Sequence, residues 1–321
     1  MKFTSPLALG LCASVPAAKD PIGAILWHAR LLIIESGLSR PPFAPAAYAP
    51  LRNVNRINER YMEVDGRLIP GSGGFVIELR KDRPHERKNF TCAHELGHTF
   101  FYEAVPSIKY RTVSSREPHH DPEEETLCNI AAAELLMPSA VFLNIASDYE
   151  QTPQSLQEIS SMFETSLVST SVQLLKTKAW NCPIILWECD DDEIKAAWLA
   201  RSNYALEHYP LLNIDNILSS GVYHCYRTGE PTVSNDWMSL NGGFKKWTAH
   251  SVRLGANKIL TCLRSSKADE SPKQAEQAAP LPLTYDCNCD GTRWLLRRRD
   301  GHNYVTRCRA LTHRKRQPED F

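Results

Sequence analysis

The sequence predicts an α+β fold, and three observations lead to it. Two stretches with helical periodicity, residues 90–101 and 122–137, follow one another with only a polar segment between them. Short strand-like segments broken by glycine turns precede them, at residues 56–79. A second run of strand-like segments follows from residue 183. With 321 residues and 42% hydrophobic content the chain can build real cores and more than one domain. Its 37 basic and 37 acidic residues balance, so no global field draws it to nucleic acid.

Residues 1–20 carry a faint export pattern: Lys2, an apolar run from Leu7 to Cys12, then Pro16-Ala17-Ala18. The run is short and broken by Thr4, Ser5 and Pro6, so the segment is read as a disordered N-terminus. No stretch approaches the roughly 20 apolar residues of a membrane span. Residues 22–36 read as an amphipathic helix stopped before Pro41-Pro42. Residues 56–64, an Asp65-Gly66 turn and residues 67–70 suggest a hairpin, and Gly71-Ser72-Gly73-Gly74 leads to a third strand at 75–79. The glycine cluster lacks the lysine and following helix of a phosphate cradle and is read as a turn. Strand 75–79 is expected to run past the helix at 90–101 and to accept an extended peptide as an added strand.

Within the first long helix stands His94-Glu95-Leu96-Gly97-His98. Histidines four apart lie on one helix face, close enough to share a metal ion, with a glutamate beside them to accept a proton from a bound water. Phe90, Ala93, Leu96, Gly97, Phe100 and Phe101 supply the buried stripe, and Thr91 or Asn89 is the expected N-cap. A catalytic zinc site takes a third protein ligand and keeps one position open. The second helix begins with Asp121 as N-cap, Pro122 at the first helical position and Glu124 completing a capping box; Pro138 marks its end. Its middle is apolar nearly all round, so it is expected to be buried. Glu123 and Glu124 can stay solvated, whereas Glu125 lies deeper, on a face with Cys128, Asn129 and Ala132, and is the third-ligand candidate. His119 and His120, in a loop, are the rivals.

The segments FTCAHELGHTFFY and EEETLCNIAAAELLMP together resemble the ImmA/IrrE family of metallopeptidases, in order and in spacing, over roughly residues 22–180. The resemblance implies a compact gluzincin-like zinc peptidase domain, built from a small mixed sheet and two active-site helices. It places His94, His98 and Glu125 on one zinc ion and Glu95 as general base. Many members carry a second acid two residues before the asparagine; here that position is Leu127. An oxyanion donor is sought among Tyr102, Tyr110, His119 and His120, and acceptors for the outer histidine nitrogens in Asn129 and Glu134. The family implies protein substrates, among them helix-turn-helix repressors, in transcriptional regulation and stress responses. Ten scattered cysteines, with Cys92 and Cys128 inside the two helices, fit free thiols in a reducing compartment, so the expected location is cytoplasmic.

Beyond the motif, residues 155–163 and 166–175 read as a helix pair, the first with a Ser155-x-x-Glu158 capping box. The second has no arginine, poor for a DNA recognition helix, so packing on the peptidase core is expected. Strands are expected at 183–188 and 193–200, and again at 246–254 and 259–263. The expected divisions are a peptidase domain at 21–180, a β-rich domain at 181–264, a Pro/Ala-rich linker at 265–283 and a basic tail at 284–321. The tail reads as a hairpin turning at Asp300-Gly301, with nine basic residues and one acid between Arg293 and Arg316. Cys287, Cys289 and Cys308 with His302 or His313 form a weaker second zinc pattern, since the spacing is C-x-C. The alternative to a peptidase is a regulatory, metal-containing binding module that acts on DNA or protein through this C-terminal region.

Overall fold

The computed structural model describes residues 2–105, 121–190, 193–200, 213–214, 217–239, 244–265, 284–286, 293–299 and 302–308. It is an α+β chain in two compact units, Met1–Ser266 and Lys267–Phe321. In the second unit, β10 (Thr284–Asp286), β11 (Arg293–Arg299) and β12 (His302–Cys308) form an antiparallel sheet, with Arg299 opposite His302 at the expected turn. Most of the residues read as linker, and the second zinc pattern through Cys287, Cys289 and His313, lie outside the described residues.

In the first unit, residues 6–14 depart from the expected disorder and form helix α1 (Pro6–Ser14). Ser5 caps it by accepting from Ala8 N, and Leu7, Ala8 and Leu11 are buried in the main core. The side chain of Glu123 holds its start, accepting from the backbone N–H groups of Thr4 and Ser5 at 2.8–2.9 Å. A short apolar run can therefore be a docked helix when a partner element supplies the contacts that its length does not. Helix α2 (Pro21–Ser36) follows, capped by Asp20 and ended by Gly37, whose φ of 71° is left-handed. The short helix α3 (Pro45–Tyr48) anchors Tyr48, whose hydroxyl donates to Leu135 O at 3.0 Å.

Strands β1 (Val54–Arg60), β2 (Gly66–Gly71) and β3 (Gly74–Arg80) form a mixed sheet in the order β1-β3-β2. The expected hairpin across Asp65-Gly66 is not formed. Instead β1 runs parallel to β3, and the hairpin is β2–β3, turning at Ser72-Gly73 with Gly71 opposite Gly74. The sheet order also overturns the expected docking strand. Phe75–Leu79 lies in the central strand, with both edges already hydrogen-bonded, so among the described residues the free edges belong to β1 and β2.

Helix α4 (His85–Ala104) carries the histidines and α5 (Pro122–Leu136) follows. α4 starts at His85, five residues before Phe90 opens its apolar stripe, with Pro84 at the N-cap position, so neither Asn89 nor Thr91 caps it. The polar first turns leave no burial pattern to read. Helices α6 (Ser139–Ala146), α7 (Pro153–Met162) and α8 (Leu167–Lys176) come next. α7 is capped by Thr152 in place of the expected Ser155 box, and Ser166 caps α8. Leu156, Ile159, Phe163 and Leu174 sink into the main core, the packing expected of this pair.

The six-stranded sheet has the order β5-β4-β9-β8-β7-β6, from β4 (Ile184–Asp190), β5 (Glu193–Ala200), β6 (Asn213–Ile214), β7 (Thr232–Ser239), β8 (Phe244–Arg253) and β9 (Lys258–Ser265). One face joins the main core through Ile184, Val252, Leu260 and Cys262. The other face buries Ile185, Trp187, Ala249 and Leu263 against α9 (Gly221–Thr228). Residues 181–264 thus share the core of the helical part and do not stand apart as a separate unit. No single helix among the described residues is long and apolar enough to cross a membrane.

His28 of α2 packs within the core between Trp27 and Phe100, and burial lowers its pKa to about 4 against the opposing charge of Glu103. A folded-state pKa below the ordinary 6.5 means that folding favours the neutral ring. Stability from this group is full above pH 6.5 and is lost as pH falls from there toward 4. The loss should approach about 3 kcal/mol at the lower end. His28→Phe is therefore expected to flatten the fall in melting temperature between pH 6.5 and 4, measured against wild type by thermal denaturation.

Candidate metal centre

α4 and α5 cross so that one helix presents imidazoles to the other's carboxylates. Gly97 permits the approach: a Cβ there would stand 3.1 Å from Cys128 Cα and 3.4 Å from Ala131 Cβ. Gly97→Ala is expected to push the helices apart by a few tenths of an ångström, to cost about 1–3 kcal/mol in stability and to weaken metal binding. A zinc titration beside a thermal melt reads both.

His94 and His98 lie one turn apart, and their Nε2 atoms are 3.2 Å from each other. Glu125 reaches both, with Oε2 3.1 Å from His94 Nε2 and Oε1 3.6 Å from His98 Nε2. The outer nitrogens are fixed from α5. His94 Nδ1–H donates to Asn129 Oδ1 at 2.9 Å, and His98 Nδ1–H donates to Glu124 Oε1 at 2.6 Å. With both Nδ1 atoms protonated, the two Nε2 lone pairs face each other across 3.2 Å. Such an arrangement is relieved by a metal cation between them or by a proton on one of the two rings.

The donor set fits a zinc ion. Tetrahedral zinc with bonds of about 2.0–2.1 Å separates its ligand atoms by roughly 3.3 Å, the scale of the 3.1, 3.2 and 3.6 Å separations here. The electrostatics agree. Burial alone would lower the His94 pKa, but its hydrogen bond to Glu125, the charges of Glu95 and Glu125 and the contact with Asn129 together raise it. The surrounding carboxylates favour positive charge at this position. Nearby Cys92 is buried, and burial and then Glu95 push its thiol up to about 12, which disfavours the thiolate.

Glu95 is buried, and β2 passes directly against it: a Cβ on Gly66 would lie 3.2 Å from Glu95 Oε1 and against the Thr91 methyl. Among the other sequence candidates, Glu134 meets neither histidine. It is buried and bonds Arg30 Nε at 2.9 Å and Ser139 Oγ at 2.5 Å. Tyr102 is buried edge-on against Phe75, while Tyr110, His119 and His120 lie outside the described residues. Glu124, expected in solvent, is buried on His98. The sequence signal for it was its adjacency to Glu125: neighbouring side chains on a helix point about 100° apart, so Glu124 meets the outer nitrogen of His98 while Glu125 reaches the inner nitrogens of both rings. A groove lined by Arg87, Phe90, Ser166 and Leu167 opens at the start of α4 and includes none of these groups.

A helix bearing H-E-x-x-H, a second helix supplying a glutamate and a small sheet beside them define a metallopeptidase-type domain. Residues 54–174 match the peptidase M78 family model, the IrrE N-terminal-like domain, and the similarity to the ImmA/IrrE family rests on this segment. The radiation response metalloprotease IrrE of Deinococcus radiodurans is 31% identical over 154 residues, which are 46% of this chain and 46% of that protein. The match thus spans about half the length of that curated relative. Among solved structures, a Mycobacterium tuberculosis transcriptional regulator aligns over 74% of both chains, with a TM-score of 0.43 and 12% identity.

Proposed function

We propose that the chain is a zinc-dependent endopeptidase that cuts a peptide bond in a protein substrate. The observation that carries this reading is the convergence of His94 Nε2, His98 Nε2 and the Glu125 carboxylate, with Glu95 beside them. These three residues would hold the ion, and Asn129 and Glu124 keep both rings in the tautomer that a metal requires. A bound zinc ion supplies Lewis acidity, polarising the scissile carbonyl and acidifying a water. Glu95 is the base: its carboxylate takes the proton of the attacking water and returns it to the leaving nitrogen. Extended substrate pairs with the free edge of β2, the strand that touches Glu95.

The substrate proposed from the likeness to the ImmA/IrrE family is a transcriptional repressor of the helix-turn-helix class, and the proposed working compartment is the cytoplasm. The test uses purified full chain, stripped of metal and reloaded with zinc, mixed with a helix-turn-helix repressor from the same genome. Mass spectrometry should find a discrete cut that chelation abolishes and zinc restores. A zinc-loaded chain that leaves that repressor and unfolded casein intact would overturn the reading.

A further inference from the structure

The outer face of the small sheet carries a charge arrangement that the metal centre does not use. Glu78 of central β3 is buried, only 4% exposed, yet it lies on the sheet face away from α4. Two arginines from the flanking strands close over it. Arg67 of β2, directly opposite in register, gives Nε and Nη2 to Glu78 Oε2 at 2.9 and 2.6 Å. Arg60 of β1 lies with Nε 2.9 Å from Oε1. Two guanidiniums thus share one carboxylate and leave one positive charge over. Both stay more than half exposed, at 58% for Arg67 and 63% for Arg60.

Arg67 stands on the edge strand, one residue from Gly66, where β2 meets Glu95. Side chains alternate along a strand, so Gly66, Leu68 and Pro70 face inward while Arg67 and Ile69 face outward. Ile69 is 37% exposed, two residues from Arg67. Pro70 has no N–H to give a further strand, which confines new pairing to residues 66–69. A strand added there must set alternate side chains on the outer face, against Arg67 and Ile69.

We propose that Arg67, oriented by Glu78, selects substrate strands bearing an aspartate or glutamate opposite it, with an apolar residue two positions away on Ile69. The inference rests on the peptidase reading and deepens it to a substrate class. Glu78 fixes the plane of the Arg67 guanidinium by binding Nε and Nη2, and Nη1 remains for an incoming carboxylate. A substrate carboxylate completes a two-plus, two-minus cluster. A lysine or arginine in its place meets two guanidiniums already held by one acid.

The test is cleavage of a peptide library, randomised over eight positions, by the zinc-loaded full chain, with cut sites read by mass spectrometry. At one fixed distance from the cut, acids should be enriched over Lys and Arg by about tenfold, with an apolar preference two positions away. Arg67→Gln, which leaves Glu78 paired with Arg60, should bring the acid enrichment down to about twofold or less. Ile69→Ser should remove the apolar preference alone, and it keeps the test decisive if the Arg67 variant folds poorly. Cutting without acid enrichment, or enrichment that survives Arg67→Gln, overturns the inference and leaves the peptidase reading intact. A library left uncut overturns both.

Discussion

Glu125→Ala is expected to abolish stoichiometric zinc binding. Glu125 is the only one of the three converging donors that comes from α5, and its two oxygens span both Nε2 atoms. Removing it leaves a two-histidine pair, which does not make a catalytic zinc site. The loss of affinity should exceed the about 10–100-fold typical of partners one shell further out. A competition titration against a chelating dye measures it. Linkage supplies a second readout. For wild type, zinc at about 1,000 times Kd should add about 4 kcal/mol to stability, and chelation should remove it. The melting temperature of Glu125→Ala should not respond to zinc. A variant that still binds one equivalent with near wild-type affinity would remove Glu125 from the centre.

Glu95→Gln has the opposite signature. Glu95 lies beside the donor triangle and outside it, against Gly66 of β2. The amide is nearly isosteric with the carboxylate and loses only the ability to take a proton. Zinc affinity should stay within a few-fold of wild type, while hydrolysis falls by about 10²–10⁴, the range ascribed to a positioned general base. Single-turnover cleavage at saturating zinc separates the two effects. Retained hydrolysis with retained zinc would mean that another group accepts the proton. A biological readout that survives in the uncleaving variant would favour the regulatory-module alternative.

The parts of this molecule that were legible in its sequence are those that local geometry decides. His94 and His98 face the same way because four residues make one helical turn, and Asp121 caps α5 because of the residues just after it. Glu125 and Asn129 are one turn apart on α5 for the same reason, so both meet the histidine pair. What the sequence hid depends on docking between distant elements. Glu124 looks like an ordinary acid of a first turn until α5 lies against α4 and buries it on His98. Glu134 has the same composition cues and turns instead to Arg30, 104 residues earlier. α1 is a weak helix by itself and exists through its burial in the main core and its tie to Glu123.

The small sheet was misread for a related reason. Asp65-Gly66 and Ser72-Gly73 are both good turn sequences, and only long-range pairing decides which one closes a hairpin. The parallel pairing of β1 with β3 makes β3 central and moves the free edge beside the metal helix to β2. That shift is what places Arg67 and Ile69, rather than residues of β3, beside the substrate strand in the proposed docking.

Anomalous diffraction at the zinc edge, from crystals of the full chain grown with zinc, tests the assignment of the centre most directly. The expected result is one strong peak about 2.0–2.1 Å from His94 Nε2, His98 Nε2 and a Glu125 oxygen. Protein that carries stoichiometric zinc but shows its peak elsewhere, with none between these three residues, would contradict it.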